Sequence, residues 1–144
     1  MFYRREQLEP VPCKHQLETQ LAYSLPSEDE LDEHLKNHRM IFIPSEFCKE
    51  PNISDKINAN EAEIVVDILR RIHRYYGDQF DSQKTVGVIV PYRNQIAMVR
   101  KGIEKLGIPE LEKISIDTVE RYQGSQRDVI IYSFTIQNIW QLDF

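Results

Sequence analysis

Two stretches of the chain carry polar groups of the kinds that recognise phosphate. One is Val86 to Gln95, VGVIVPYRNQ, an apolar run that breaks at Pro91-Tyr92. The other is Ile116 to Ser133, IDTVERYQGSQRDVIIYS, in which a polar turn holding Gln123-Gly124 separates two apolar runs. Thr118 offers a hydroxyl and a main-chain amide, Gln123 a carboxamide that donates and accepts, Gly124 a close backbone approach, and Arg127 a fixed cationic fork. Set at the ends of parallel strands, such groups lie where open α/β sheets bind ligands. A second reading needs no ligand: Gly124 makes a tight turn, and Arg127 pairs with Asp128 or Glu120. Residue types alone leave both readings open.

Other chemistries lack their residues. Nucleotide hydrolysis of the phosphate-loop kind needs a glycine-rich loop ending in Lys-Ser/Thr, whose amides wrap the phosphates. Only Gly102 and Gly107 have the glycine spacing; they are followed by Ile108-Pro109, and Gly102 falls inside an amphipathic pattern. No Asp-Glu pair ends an apolar run either, so the chain is not expected to hydrolyse ATP unaided. His34 and His38 stand one helical turn apart without the Glu of an H-E-x-x-H site, which makes a solvated helix face the simpler reading. Cys13, His15 and Cys48 lack structural-zinc spacing, and Ser24, Ser45, Ser115 and Ser133 lack a nucleophile elbow. The cluster Arg70, Arg71, His73 and Arg74 lies largely on the polar side of a predicted helix, where charge is ordinary.

The elements that must position these groups follow from periodicity. Asn58 and Glu61 form an N-x-x-E arrangement resembling a capping box, and Ala62, Val65, Leu69, Ile72 and Tyr76 follow at helical spacing until Gly77. Val86 to Val90 is β-branched and uninterrupted, as in a parallel strand covered on both sides, and Pro91 ends it. Ile96, Val99, Ile103 and Leu106 give a second helix, terminated by Gly107. Lys113–Ile116 and Asp128–Phe134 are further strands, and the apolar run Met40–Ile43, stopped by Pro44, suits a buried one. Strands alternating with helices predict a mostly parallel sheet with helices on its faces.

The first 39 residues, broken by Pro10, Pro12 and Pro26, read as an irregular covering segment with a short helix opened by Ser27 and an acidic first turn. Residues 45–57 read as a long connection. The 144 residues suit one domain, with 1–39 as the covering segment and 40–144 as its α/β body. With 18 Lys+Arg against 23 Asp+Glu the net charge is −5, the wrong sign for holding nucleic acid by bulk electrostatics, so any phosphate contact must be local. Two cysteines make no disulfide framework, no apolar run is long enough to span a bilayer, and Met1-Phe2-Tyr3-Arg4-Arg5 opens no signal peptide. A cytoplasmic setting without membrane partners is expected.

Taken together, the motifs resemble the second RecA-like motor domain of superfamily 1 helicases, in the branch that includes the nonsense-mediated-decay helicase. Asn58, Glu61 and Ala62 match that family's N-x-x-E-A helix start; Gly87 through Gln95 match G-V-I-T-P-Y-x-x-Q, with Val90 at the Thr position; Thr118 through Ile131 match T-V-D-x-F-Q-G-S-E-R-D-V-I-I. The match is close over residues 58–134 and loose before them. Glu120 stands for the Asp, Tyr122 for the Phe, and Gln126 for the Glu near the nucleotide.

The resemblance implies a RecA-like three-layer α/β fold, incomplete at the ends: the family's Q-Y-R-M-H-P segment is expected upstream of Met1 and its V-A-L-T-R-A segment beyond Phe144. It implies ATP and Mg as cofactors of the intact enzyme, with none bound to this chain alone. It also implies single-stranded DNA or RNA and a first RecA-like domain as partners. Gln123, Gly124, Gln126 and Arg127 are then expected toward the nucleotide, and Pro91, Tyr92, Gln95 and Thr118 toward the strand. The expected activity is that of a motor-domain piece, inactive alone, whose cleft opens and closes with hydrolysis. The alternative is a degenerate helicase-like module that binds proteins, using the apolar tail Ile139–Phe144.

Overall fold

Asn58 opens the longest helix because its side-chain Oδ1 accepts the Glu61 N–H at 3.0 Å, matching one of the amides that a helix start leaves without a partner. The computed structural model describes residues 25–45, 57–122 and 126–135. In chain order these form α1 (Glu30–Asn37), α2 (Ala59–Tyr76), a 3₁₀ turn (Gly77–Gln79), β1 (Val86–Ile89), α3 (Arg93–Leu106), α4 (Pro109–Glu112), β2 (Ser115–Asp117) and β3 (Val129–Tyr132). The chain divides into two compact units, residues 1–42 and 43–144.

In the first unit α1 is capped by Asp29, which accepts the Asp32 N–H, and not by Ser27; the Ser27 hydroxyl instead meets Lys36 Nζ at 2.9 Å. The expected strand at Met40–Ile43 does not form. Those residues run without strand pairing, and Met40 and Phe42 are 91% and 77% exposed. Four apolar residues name a buried strand only if a neighbour exists to pair with them.

The second unit is an α/β layer. The sheet order is β2-β1-β3, all parallel, with Val88 opposite Ile116 on one side and Ile131 on the other. Because side chains alternate along a strand, Val86, Val88 and Val90 share one face, and all three are fully buried. Their cover is the helical layer, in which Ala62, Val65, Leu69 and Ile72 of α2, Val99 and Ile103 of α3, and Leu111 of α4 complete the core. Gly102 belongs to this packing: a Cβ there would lie 2.7 Å from Val66 Cγ2, so the glycine lets α2 and α3 approach. α3 ends, as expected, at Gly107, which takes the left-handed conformation. The short helix α4, with Pro109 in its first turn, was not expected; it shifts β2 two residues later than Lys113. Among the described residues, no helix is long and apolar enough to cross a membrane.

Candidate functional site

The expected site residues fall into three places. Pro91 and Tyr92 leave the carboxyl end of β1, and Tyr92 caps α3, its carbonyl accepting the Ile96 N–H at 3.2 Å. Thr118 leaves the carboxyl end of β2 next door: Ile89 pairs with Asp117, and Val90 N–H donates to the Asp117 carbonyl at 2.9 Å. The Asp117 carboxylate accepts the Thr118 N–H at 2.9 Å, and the Thr118 carbonyl accepts from Arg121 and Tyr122, closing a turn. Pro91, Tyr92 and Thr118 therefore stand together on one rim.

Gln126 and Arg127 stand at the other end of the strands. The next residue, Asp128, donates its N–H to the Lys84 carbonyl just before β1, and Arg127 Nη2 meets the Oγ of Ser115, the first residue of β2, at 3.3 Å. The reason is topological. β2 and β3 are parallel, so a connector leaving one at its carboxyl end must travel the height of the sheet to enter the other at its amino end. Thr118 and Arg127 cannot share a rim. Gln123 and Gly124 lie outside the described residues, as do Cys13, His15, Ser24, Cys48 and the tail Ile139–Phe144.

Gln95 is placed in the core instead of on the strand-facing rim. It is fully buried, and both ends of its carboxamide are engaged by the main chain of Asn58. This completes the helix start in an unexpected way. In a capping box the Glu at the third helical position would reach back to the Asn58 N–H; here Gln95 takes that N–H. Glu61 is thereby released to accept the Ser133 hydroxyl at 3.0 Å and the Thr135 N–H at 2.8 Å. Thr135 has a φ of 71°, a left-handed conformation costly for a β-branched residue, and the Glu61 bond helps to hold it. Sequence reasoning missed this bracket. Its signal was present: the N-x-x-E spacing sets a carboxylate at the helix start beside the carboxyl ends of the strands.

The basic cluster on α2 is tied down. Asp67 accepts Arg70 Nη2 and Arg71 Nε, each at 2.8 Å. Burial acts to raise the Asp67 pKa, but the hydrogen bonds and charges of Arg70 and Arg71 outweigh it and hold the carboxyl below its ordinary value of 3.8. His73 pairs with Glu110 and sets its ring edge-on to Phe80, joining the end of α2 to α4. Tyr76 donates to the Asp128 carboxylate at 3.3 Å; burial first, then the Asp128 charge, push the phenol well above its ordinary range. Among the described residues, no three His, Cys, Asp or Glu side chains gather where they could hold a metal ion. His34 instead pairs with Glu30 at 3.6 Å.

A family model described as an AAA domain matches residues 1–141. The chain belongs to that family, as a superfamily 1 helicase-like domain of the nonsense-mediated-decay-helicase-like branch. It is 29% identical over 113 residues to the putative helicase MOV-10 of Gallus gallus, covering 70% of this chain and 12% of that protein. Against the probable helicase senataxin of Mus musculus it is 35% identical over 78 residues, 52% of this chain and 3% of the other. Against the DNA replication ATP-dependent helicase/nuclease DNA2 of Xenopus laevis it is 39% identical over 54 residues, 38% of this chain and 5% of the other. The chain thus spans about an eighth or less of these curated relatives. No solved structure matches it significantly.

Proposed function

We propose that this chain supplies part of the second RecA-like motor domain of an ATP-dependent DNA or RNA helicase, and works in the cytoplasm against a first RecA-like domain. The observation that carries the reading is the β2–β3 connector. It has Thr118 beside Pro91 and Tyr92 at the carboxyl rim, and Gln126 and Arg127 a sheet height away. Such a connector touches two places at once, which is what a motor needs if nucleotide state is to alter grip on a strand.

In this reading Tyr92 and the Thr118 turn meet single-stranded nucleic acid. A base stacked on Tyr92 would contribute about 1–3 kcal/mol. Arg127, which donates to the Ser115 hydroxyl, and Gln126 are assigned in this reading to the nucleotide, and the Gln126 amide can accept from a ribose hydroxyl. ATP and Mg supply the phosphoryl-transfer chemistry of the intact enzyme. In this reading the phosphates and Mg are held by the first domain. The chain alone is then inactive as an ATPase.

The test is a titration of the isotope-labelled 144-residue chain with short single-stranded DNA and RNA, alongside an ATPase assay. Shifts of the Tyr92 and Thr118 amides that weaken with salt, and no ATP turnover, are expected. Turnover by the chain alone would overturn the need for a second domain. Unmoved Tyr92 and Thr118 amides at millimolar-scale oligonucleotide would overturn the strand-facing assignment.

A further inference from the structure

On the face of the sheet opposite the one that carries Val86 and Val88, Tyr122 lies directly over Gly87. A Cβ built on Gly87 would come within 2.1 Å of Tyr122 Oη, 2.9 Å of Cζ and 3.1 Å of Cε2, and these are its nearest neighbours. Gly87 stands on the central strand of the described sheet, matched with Ser115 on β2 and Ile130 on β3. No residue with a side chain can occupy that position while the ring stays seated. The main chain that carries the ring is held as well, since the Tyr122 N–H donates to the Thr118 carbonyl at 2.8 Å. The hydroxyl is buried with no hydrogen-bond partner among the described residues. A buried, unmatched hydroxyl opposes the seat, so the ring's packing is what holds it.

We infer that Tyr122 on Gly87 is the positioning contact of the connector, fixing Thr118 on one rim relative to Arg127 on the other. The inference rests on the reading of those two ends given above, but the seat can be tested apart from it. Neither residue touches a ligand in this scheme; both act through the ends they locate. Because the aromatic ring carries the effect, Tyr122→Phe keeps the connector in place, and Tyr122→Ala releases it. Gly87→Ala also releases it by lifting the ring, and has nothing to lift once the ring is gone.

The experiment is a double-mutant cycle on the full chain with Gly87→Ala and Tyr122→Ala, and with Tyr122→Phe as the conservative control. Thermal midpoints and the amide shifts of Thr118 and Arg127 are read together. Gly87→Ala is expected to lower Tm and move both amides in the wild type, and to do neither in Tyr122→Ala. Tyr122→Phe is expected to leave both amides near their wild-type positions with an equal or higher Tm. Additive effects, or movement of Thr118 without Arg127, would overturn the inference. Should the cycle couple as expected while oligonucleotides leave Thr118 unmoved, the seat stands and the strand-facing assignment is what fails.

Discussion

Gln95 closes on Asn58 with both ends of its carboxamide: Oε1 accepts the Asn58 N–H at 2.9 Å and Nε2 donates to the Asn58 carbonyl at 2.8 Å. The pair joins the first turn of α3 to the start of α2 across 37 residues of sequence. It fixes where the longest helix begins.

Removing that amide leaves the buried Asn58 N–H without a partner, at about 1–3 kcal/mol, while the Asn58 carbonyl keeps the Ala62 N–H at 3.0 Å. Gln95→Leu is therefore expected to lower unfolding stability by roughly 1–3 kcal/mol, read as the midpoint of denaturant unfolding. A loss under about 0.5 kcal/mol would mean the amide is not in the core.

The Glu61 bracket predicts an unequal pair of variants. Glu61→Gln can still accept the Thr135 N–H through its oxygen while its NH₂ turns to the Ser133 hydroxyl, so little stability is lost. Glu61→Ala leaves the Thr135 N–H buried without a partner and is expected to cost about 1–3 kcal/mol. Hydrogen exchange at the Thr135 amide should be fast in Glu61→Ala and slow in Glu61→Gln; equal rates would contradict the bracket.

Asp67 gives an acid-side signature. Its folded pKa lies below 3.8, so its contribution is complete above that pH and disappears as pH falls further, through the folded value. Both partners are partly exposed, which limits the effect to about 0.5 kcal/mol. Asp67→Asn should be slightly less stable than wild type at neutral pH, and the gap should close in acid below 3.8. Thermal unfolding across that range checks it.

Tyr76 gives the alkaline counterpart. Its folded pKa is raised above the ordinary 10.0, so the neutral phenol contributes stability below that pH and loses it as pH climbs above. Tyr76→Phe, which cannot ionise, should be less stable than wild type near pH 8 by at most about 1 kcal/mol. The gap should narrow above 10.0, as followed by Tm against pH.

Much of this fold could be read from residue spacing. The start of α2 at Asn58, its end at Gly77, β1 stopping before Pro91 and α3 ending at Gly107 all follow from caps and periodicity. Met40–Ile43 went astray because an apolar run states a preference for burial but not who provides it. Gln95 went astray because a carboxamide serves ligand and backbone equally well, and only the approach of α2 to α3 decides. The separation of Thr118 from Arg127 was within reach of the sequence: once both flanking strands are taken as parallel, the two ends of their connector must lie a strand length apart. The Tyr122–Gly87 seat was not, since nothing local says which residue the ring will meet.

β3 lies at one side of the described sheet, with Ile130, Tyr132 and Phe134 each more than two-fifths exposed and the rings of the last two 4.7 Å apart. A strand border of that kind invites molecules to stick, and the main restraint is mutual repulsion from a net charge of −5. Salt weakens that repulsion and leaves the greasy strip as it was. The chain should therefore keep best in dilute buffer, and a glutamate in place of Ile130 should make it more forgiving to concentrate.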